Sequence, residues 1–146
     1  MASIDGAVQI RKAIERILAA SGLLERFLSG DHFQAQILNG SFMPLVVERH
    51  GQVVIVAHVT SQNGDAISDP EMTFKIVQSN SEWFLWPTSL QFATGHREDC
   101  EAVQDGRLVI KPRAQADQIR FSNEWARNLI SQGFHRRDTA SPETSA

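Results

Sequence analysis

What most constrains this chain is a change of hydrophobic period, from 3.6 residues to 2 near Phe33 and back again near Ala116. Ala7, Ile10, Ile14, Ile17 and Leu18 fall on one helical face, with Arg11, Lys12, Glu15 and Arg16 elsewhere around the cylinder. Asp5 is placed to cap that helix. Ser21-Gly22 interrupts it, and Leu23, Leu24, Phe27 and Leu28 predict a short second helix closed by Gly30. At the far end Ile119, Ser122, Ala126 and Ile130, flanked by Phe121, Trp125 and Leu129, predict a helix over residues 116–132 that Gly133 ends.

Between these helices the period is that of strands. Phe33, Ala35 and Ile37 alternate with Gln34 and Gln36 before an Asn39-Gly40 turn. Strand-like runs at 45–49, 52–60 and 71–77 are separated by His50-Gly51, Asn63-Gly64-Asp65 and Ser68-Asp69-Pro70. Trp83-Phe84-Leu85-Trp86 is stopped by Pro87, which lacks a ladder donor, so an edge strand is expected. Gln104-Asp105-Gly106 joins two further runs as a hairpin. Short turns make neighbouring strands antiparallel, and no stretch alternates strands with helices. The fold class is therefore α+β, a mainly antiparallel meander sheet covered by N-terminal and C-terminal helices. One domain spans residues 1–135, and the polar tail 136–146 is expected to be mobile.

The pairing register follows from matching apolar positions. If residues 53–60 and 69–76 pair with numbers summing to 129, Ala57 faces Met72, Ile55 faces Phe74 and Val53 faces Ile76. On the reverse face His58 then meets Glu71. A three-residue loop His50-Gly51-Gln52 sets Leu45 and Val47 on the same apolar face and is preferred, with a two-residue turn as the alternative.

Composition excludes more than it identifies. A chain of 146 residues, 42% of them hydrophobic, is long and apolar enough for one core without staples. Its longest apolar runs, such as residues 53–57, fall far short of the ~20 residues of a membrane span. The net charge of -3 gives no global attraction to nucleic acid. Cys100 is the only cysteine, which suits a reducing compartment. The first residues carry no basic stretch followed by an apolar run. A cytoplasmic location without membrane contact is the resulting expectation.

Several segments carry a likeness. Met43-Pro44-Leu45-Val46-Val47-Glu48-Arg49, Asn63-Gly64-Asp65, Asp69-Pro70-Glu71-Met72-Thr73-Phe74, and Trp125 with Asn128-Leu129 and Gln132-Gly133-Phe134 resemble a bacterial domain of unknown function. That family is met mainly in proteins of plasmids and integrated conjugative elements. The likeness runs over residues 33–134, is densest at 63–74 and departs around 83–97. It implies a genomic setting and no chemistry, since the family has no established activity.

Three loci could carry function. The expected hairpin gathers His58, Asp65, Asp69 and Glu71, a set able to hold a divalent cation in a hydrolase or nuclease, or to act as general acid and base. The same residues also serve plain structural ends, since Gly64-Asp65 and Asp69-Pro70 are turn pairs and a His–Glu cross-strand pair stabilises a sheet. Trp83, Phe84 and Trp86 put aromatic area on an expected edge strand, where exposure would favour a protein partner or self-association, although core packing is the commoner reason for such residues. Lys111, Arg113, Arg120, Arg127, Arg136 and Arg137 would serve nucleic acid if they clustered, but Asp117, Glu124 and Asp138 dilute them. Cys100 has His96 and Asp99 near it only in sequence, so it is read as an ordinary thiol. With no phosphate-cradling loop, nucleophile elbow or dinucleotide fingerprint, no residue is assigned a catalytic or metal-binding role and no cofactor is expected. The leading expectation is a non-enzymatic binding or accessory protein of a mobile element.

Overall fold

Ile10, Ile14, Ile17 and Leu18 stack on one side of a helix that must bury that stripe, and the alternating strands supply the surface. In the computed structural model, which describes residues 6–136 and 140–141, α1 (Val8–Ala20) and α2 (Leu24–Ser29) come first. They precede β1 (His32–Asn39), β2 (Phe42–His50), β3 (Val53–Gln62), β4 (Asp65–Ser79), β5 (Glu82–Gln91) and β6 (Arg97–Asp99). A hairpin of β7 (Glu101–Gln104) and β8 (Arg107–Ile110) leads to α3 (Pro112–Ser131) and the two-residue β9 (Ala140–Ser141). The main sheet has the order β6-β5-β4-β3-β2-β1-β9, and β7-β8 forms a separate two-stranded sheet. Every strand pair is antiparallel. This is the expected α+β arrangement. The expected N-cap Asp5 and most of the tail 136–146 lie outside the described residues, whereas Ala140–Ser141 pair with Ile37 and Gln36.

One face of the sheet carries the core. Phe33, Ala35, Ile37, Leu45, Val47, Val54, Val56, Met72, Phe74, Ile76, Trp83 and Leu85 are buried in one cluster with residues of all three helices. On the opposite face Val46, Ile55, Phe84 and Trp86 are half-buried, and Val53 and Val77 are exposed.

The register differs from the expected one by a single residue. His50 pairs with Val53 across a two-residue Gly51-Gln52 turn. Val54 therefore lies opposite Phe74 and Val56 opposite Met72, while Ile55 faces Thr73 and Ala57 faces Glu71. Ile55 and Phe74 thus sit on opposite sides of the sheet. The cause is that residues 53–57 are apolar throughout and carry no period of their own, so turn length decides which of them point inward. Leu45 and Val47 do face the core, as expected, and Arg49 joins them. Its guanidinium donates from Nη1 to the carbonyls of Phe27 (2.8 Å) and Leu28 (3.1 Å), from Nε to that of Gly51 and from Nη2 to Gln78 Oε1. The last carbonyls of α2, which have no partner inside the helix, are satisfied in this way.

Pro70 and Pro87 each sit at an interruption of the ladder. Asp69 and Pro70 together stand opposite His58, because Ala57 pairs with Glu71 and Val59 with Ser68. Pro87 pairs with Phe74 next to an extra residue, Thr88, and β5 runs on through it instead of stopping there. Nor is the β5 edge fully open: β6 pairs with Ser89–Gln91 residues and the Ala7 N–H donates to the Leu85 carbonyl at 2.8 Å.

Candidate functional site

The corrected register disperses the expected four-residue cluster. His58 pairs with Leu45, so its ring points to the helix side, whereas Glu71 pairs with Ala57 and points away. Asp65 stands at the hairpin tip opposite Gln62, four residues from Asp69 and hence roughly 13 Å along the strand. Only Asp69 is near enough to His58 to influence its charge. Among the described residues no group of three His, Cys, Asp or Glu side chains could hold a metal ion.

His58 instead forms one wall of a groove of about 270 Å³ with Pro70, Phe121, Glu124, Trp125, Asn128 and Gln132. The way α3 ends explains how the groove is built. Gly133, at φ +87°, lets the Phe134 N–H reach the Leu129 carbonyl (3.1 Å) and its own N–H reach that of Ile130 (3.0 Å). This left-handed cap turns the buried Phe134 back onto the sheet. The His58 ring lies 5.6 Å, centroid to centroid, from both Trp125 and Phe134. Asn39 Nδ2 donates to the Gln132 carbonyl at 2.7 Å and ties the same helix end to β1.

Burial among these rings pushes the His58 pKa down, against the opposing pull of the Met43 and Pro44 backbone and of Asp69. The neutral ring has Nδ1 at 3.1 Å from the Met43 carbonyl, which can only accept, so the proton resides on Nδ1. Nε2 then remains as a lone-pair acceptor. A single neutral imidazole with Glu124 nearby on the helix can orient a polar ligand, but it has no charged partner bonded to it that would make it a strong base.

The other sequence candidates separate similarly. Trp83 is buried in the core: its Nε1 donates to Glu15 Oε1 (3.1 Å), Arg11 lies over its ring, and Phe27 packs edge-on at 5.6 Å. Phe84 and Trp86, on alternate positions, occupy the face turned away from the helices. Of the C-terminal cations, Arg120 pairs with Asp117, while Arg127 lines a groove shared with α1. Cys100 is fully buried, and that burial, reinforced by Glu98, Glu101 and Asp99, pushes its thiol up to about 12. It is a protonated core residue, as expected of an ordinary thiol.

One surface was not singled out by the sequence reading. Asp105 and Gly106, both at positive φ, close the β7-β8 hairpin as a type I′ turn. Val103 pairs with Leu108, and Ile110 follows on the same face, with 72%, 65% and 46% of their surfaces exposed. These are among the most exposed large apolar side chains in the described residues, and they lie together outside the main sheet. The available signal was their alternation around Asp105-Gly106 in a two-stranded unit with no third strand to cover it.

Together, the fold and these surfaces define a one-layer antiparallel sheet with helices on one face, a shallow histidine groove and a protruding apolar hairpin. Residues 12–135 match the domain of unknown function DUF6908, and the chain belongs to that family. No curated protein and no solved structure matches it. No helix among the described residues is long and apolar enough to cross a membrane.

Proposed function

We propose that the chain is a non-enzymatic binding protein, an accessory protein of a bacterial mobile element, that engages a protein partner through the β7-β8 hairpin. The observation that carries this reading is the exposure of Val103, Leu108 and Ile110 on one hairpin face. Leaving three large apolar side chains in water gains the fold nothing, whereas covering them with a partner removes apolar surface at about 25 cal/mol per Å². The dispersal of His58, Asp65, Asp69 and Glu71, and the protonated Cys100, favour binding over catalysis. The mobile-element setting rests on the sequence likeness of segments 43–49 and 63–74. A cytoplasmic site of action suits a single buried thiol.

The test compares the wild-type chain with a Val103→Ser/Leu108→Ser double variant. Light scattering after size exclusion distinguishes self-association from capture of another protein. Loss of the partner or of the oligomer in a variant with native circular dichroism supports the reading. The same assembly and the same captured partner in both proteins would defeat it. Trp86→Ala serves as a second arm for the helix-free face, where Phe84 and Trp86 are the accessible aromatics.

A further inference from the structure

α1 and α3 pack along Ala13 and Ala126, small residues that are buried where the helices meet. Around this floor lies a groove of about 710 Å³, larger than the histidine groove. Gln9, Lys12, Ala13 and Arg16 line it from α1, one stripe at three- and four-residue spacing, and Asn123, Ala126, Arg127, Ile130 and Ser131 line it from α3. Among the described residues the polar rim holds three cations and no carboxylate, in a chain whose acidic residues outnumber its basic ones, 17 to 14.

The acids of these two helices are committed elsewhere. Glu15 serves Arg11 and Trp83, Asp117 serves Arg120, and Glu124 lines the groove beside His58. Among the described residues Lys12, Arg16 and Arg127 have no ion pair and no hydrogen bond. Burial lowers the pKa of His135, and the charges of Arg16 and Arg136 add to that shift.

We propose that this α1–α3 groove binds a small phosphorylated ligand of about nucleotide size, its phosphate oxygens held by Lys12, Arg16 and Arg127 and its apolar part resting on Ala13, Ala126 and Ile130. The volume falls in the ordinary range for small-molecule sites, roughly 300–1,000 Å³. Guanidinium groups give phosphate paired, charge-assisted hydrogen bonds, and Lys12 adds a point charge. Gln9 and Asn123 offer amide donors at the rim. No aromatic side chain among the described residues lines the groove, so recognition rests on the phosphate and not on base stacking.

The experiment is titration calorimetry of the full chain with pyrophosphate, ATP and a series of oligonucleotides at low and moderate salt. Pyrophosphate or ATP is expected to bind, with affinity falling as salt rises. Arg16→Gln and Arg127→Gln should each weaken it about tenfold, corresponding to about 1.4 kcal/mol. Arg120→Gln, outside the groove, should leave it unchanged. All three positions are exposed, so thermal melts should stay near wild type and separate loss of binding from loss of fold. No binding of any phosphate probe, binding that survives the Arg16→Gln/Arg127→Gln double variant, or binding only to oligonucleotides with affinity growing with length would each overturn the proposal. The hairpin variant Val103→Ser/Leu108→Ser should bind these probes as the wild type does, so the two readings stand or fall separately.

Discussion

β4 and the β7-β8 hairpin carry the same kind of pattern and meet opposite fates. Met72, Phe74 and Ile76 alternate along a strand and are all but fully buried under the helices. Val103, Leu108 and Ile110 alternate across a hairpin and stay in solvent. Alternation therefore decides which side chains share a face, while the elements packed above decide whether that face is core. A β4 apolar residue contributes to stability, whereas a hairpin apolar residue is available for contact.

Four measurements sharpen or break that contrast. The largest effect is expected from Phe74→Ala, which should cost about 3–5 kcal/mol in urea unfolding through lost burial and a residual cavity. A loss below about 1 kcal/mol would mean that the β4 face is not the core. Arg49→Met should cost about 1–3 kcal/mol, because the Phe27 carbonyl loses its buried donor although the replacement remains bulky, while the Leu28 carbonyl keeps Gln78.

The third measurement uses pH. Burial lowers the folded pKa of His58 below the 6.5 of the unfolded chain, so the unfolded state takes up the proton first. Stability should be full above that value and should fall as the pH drops below it. His135 shifts in the same direction, so the informative quantity is the difference between wild type and His58→Gln, whose melting temperature should fall less between pH 7 and pH 5. Equal falls would place His58 outside the buried aromatic cluster. The smallest effect belongs to Val103→Ser/Leu108→Ser, expected within about 0.5 kcal/mol of wild type per substitution. A large loss would show that the hairpin strip is packed in the folded chain.

Much of the architecture was legible because its signals are local. The stripes of α1 and α3, the alternation of β1, the end of α3 at Gly133 and the Asp105-Gly106 turn each follow from a few neighbouring residues. The register failed where local information ran out. Residues 53–57 are apolar at every position, and what settles the matter is the two-residue turn together with Arg49 and Gln78, which bond to carbonyls of α2. That one-residue error carried the candidate site with it, since His58 and Glu71 change from sharing a face to opposing each other. The α1–α3 groove was not legible either: Lys12 and Arg16 are more than a hundred residues from Arg127, and the packing of α1 against α3 brings them together.

Arg49 has a consequence for how the molecule would come apart. A single guanidinium spans α2, the β2–β3 turn and the far end of β4, and beneath it Phe27 is wedged between Phe33 and Trp83. Severing that joint would let a six-residue helix swing out and bare its aromatic wedge while the remaining strands stay knitted. Trypsin would then reach Arg26 before any global melting, so cutting there reports the loss of this joint.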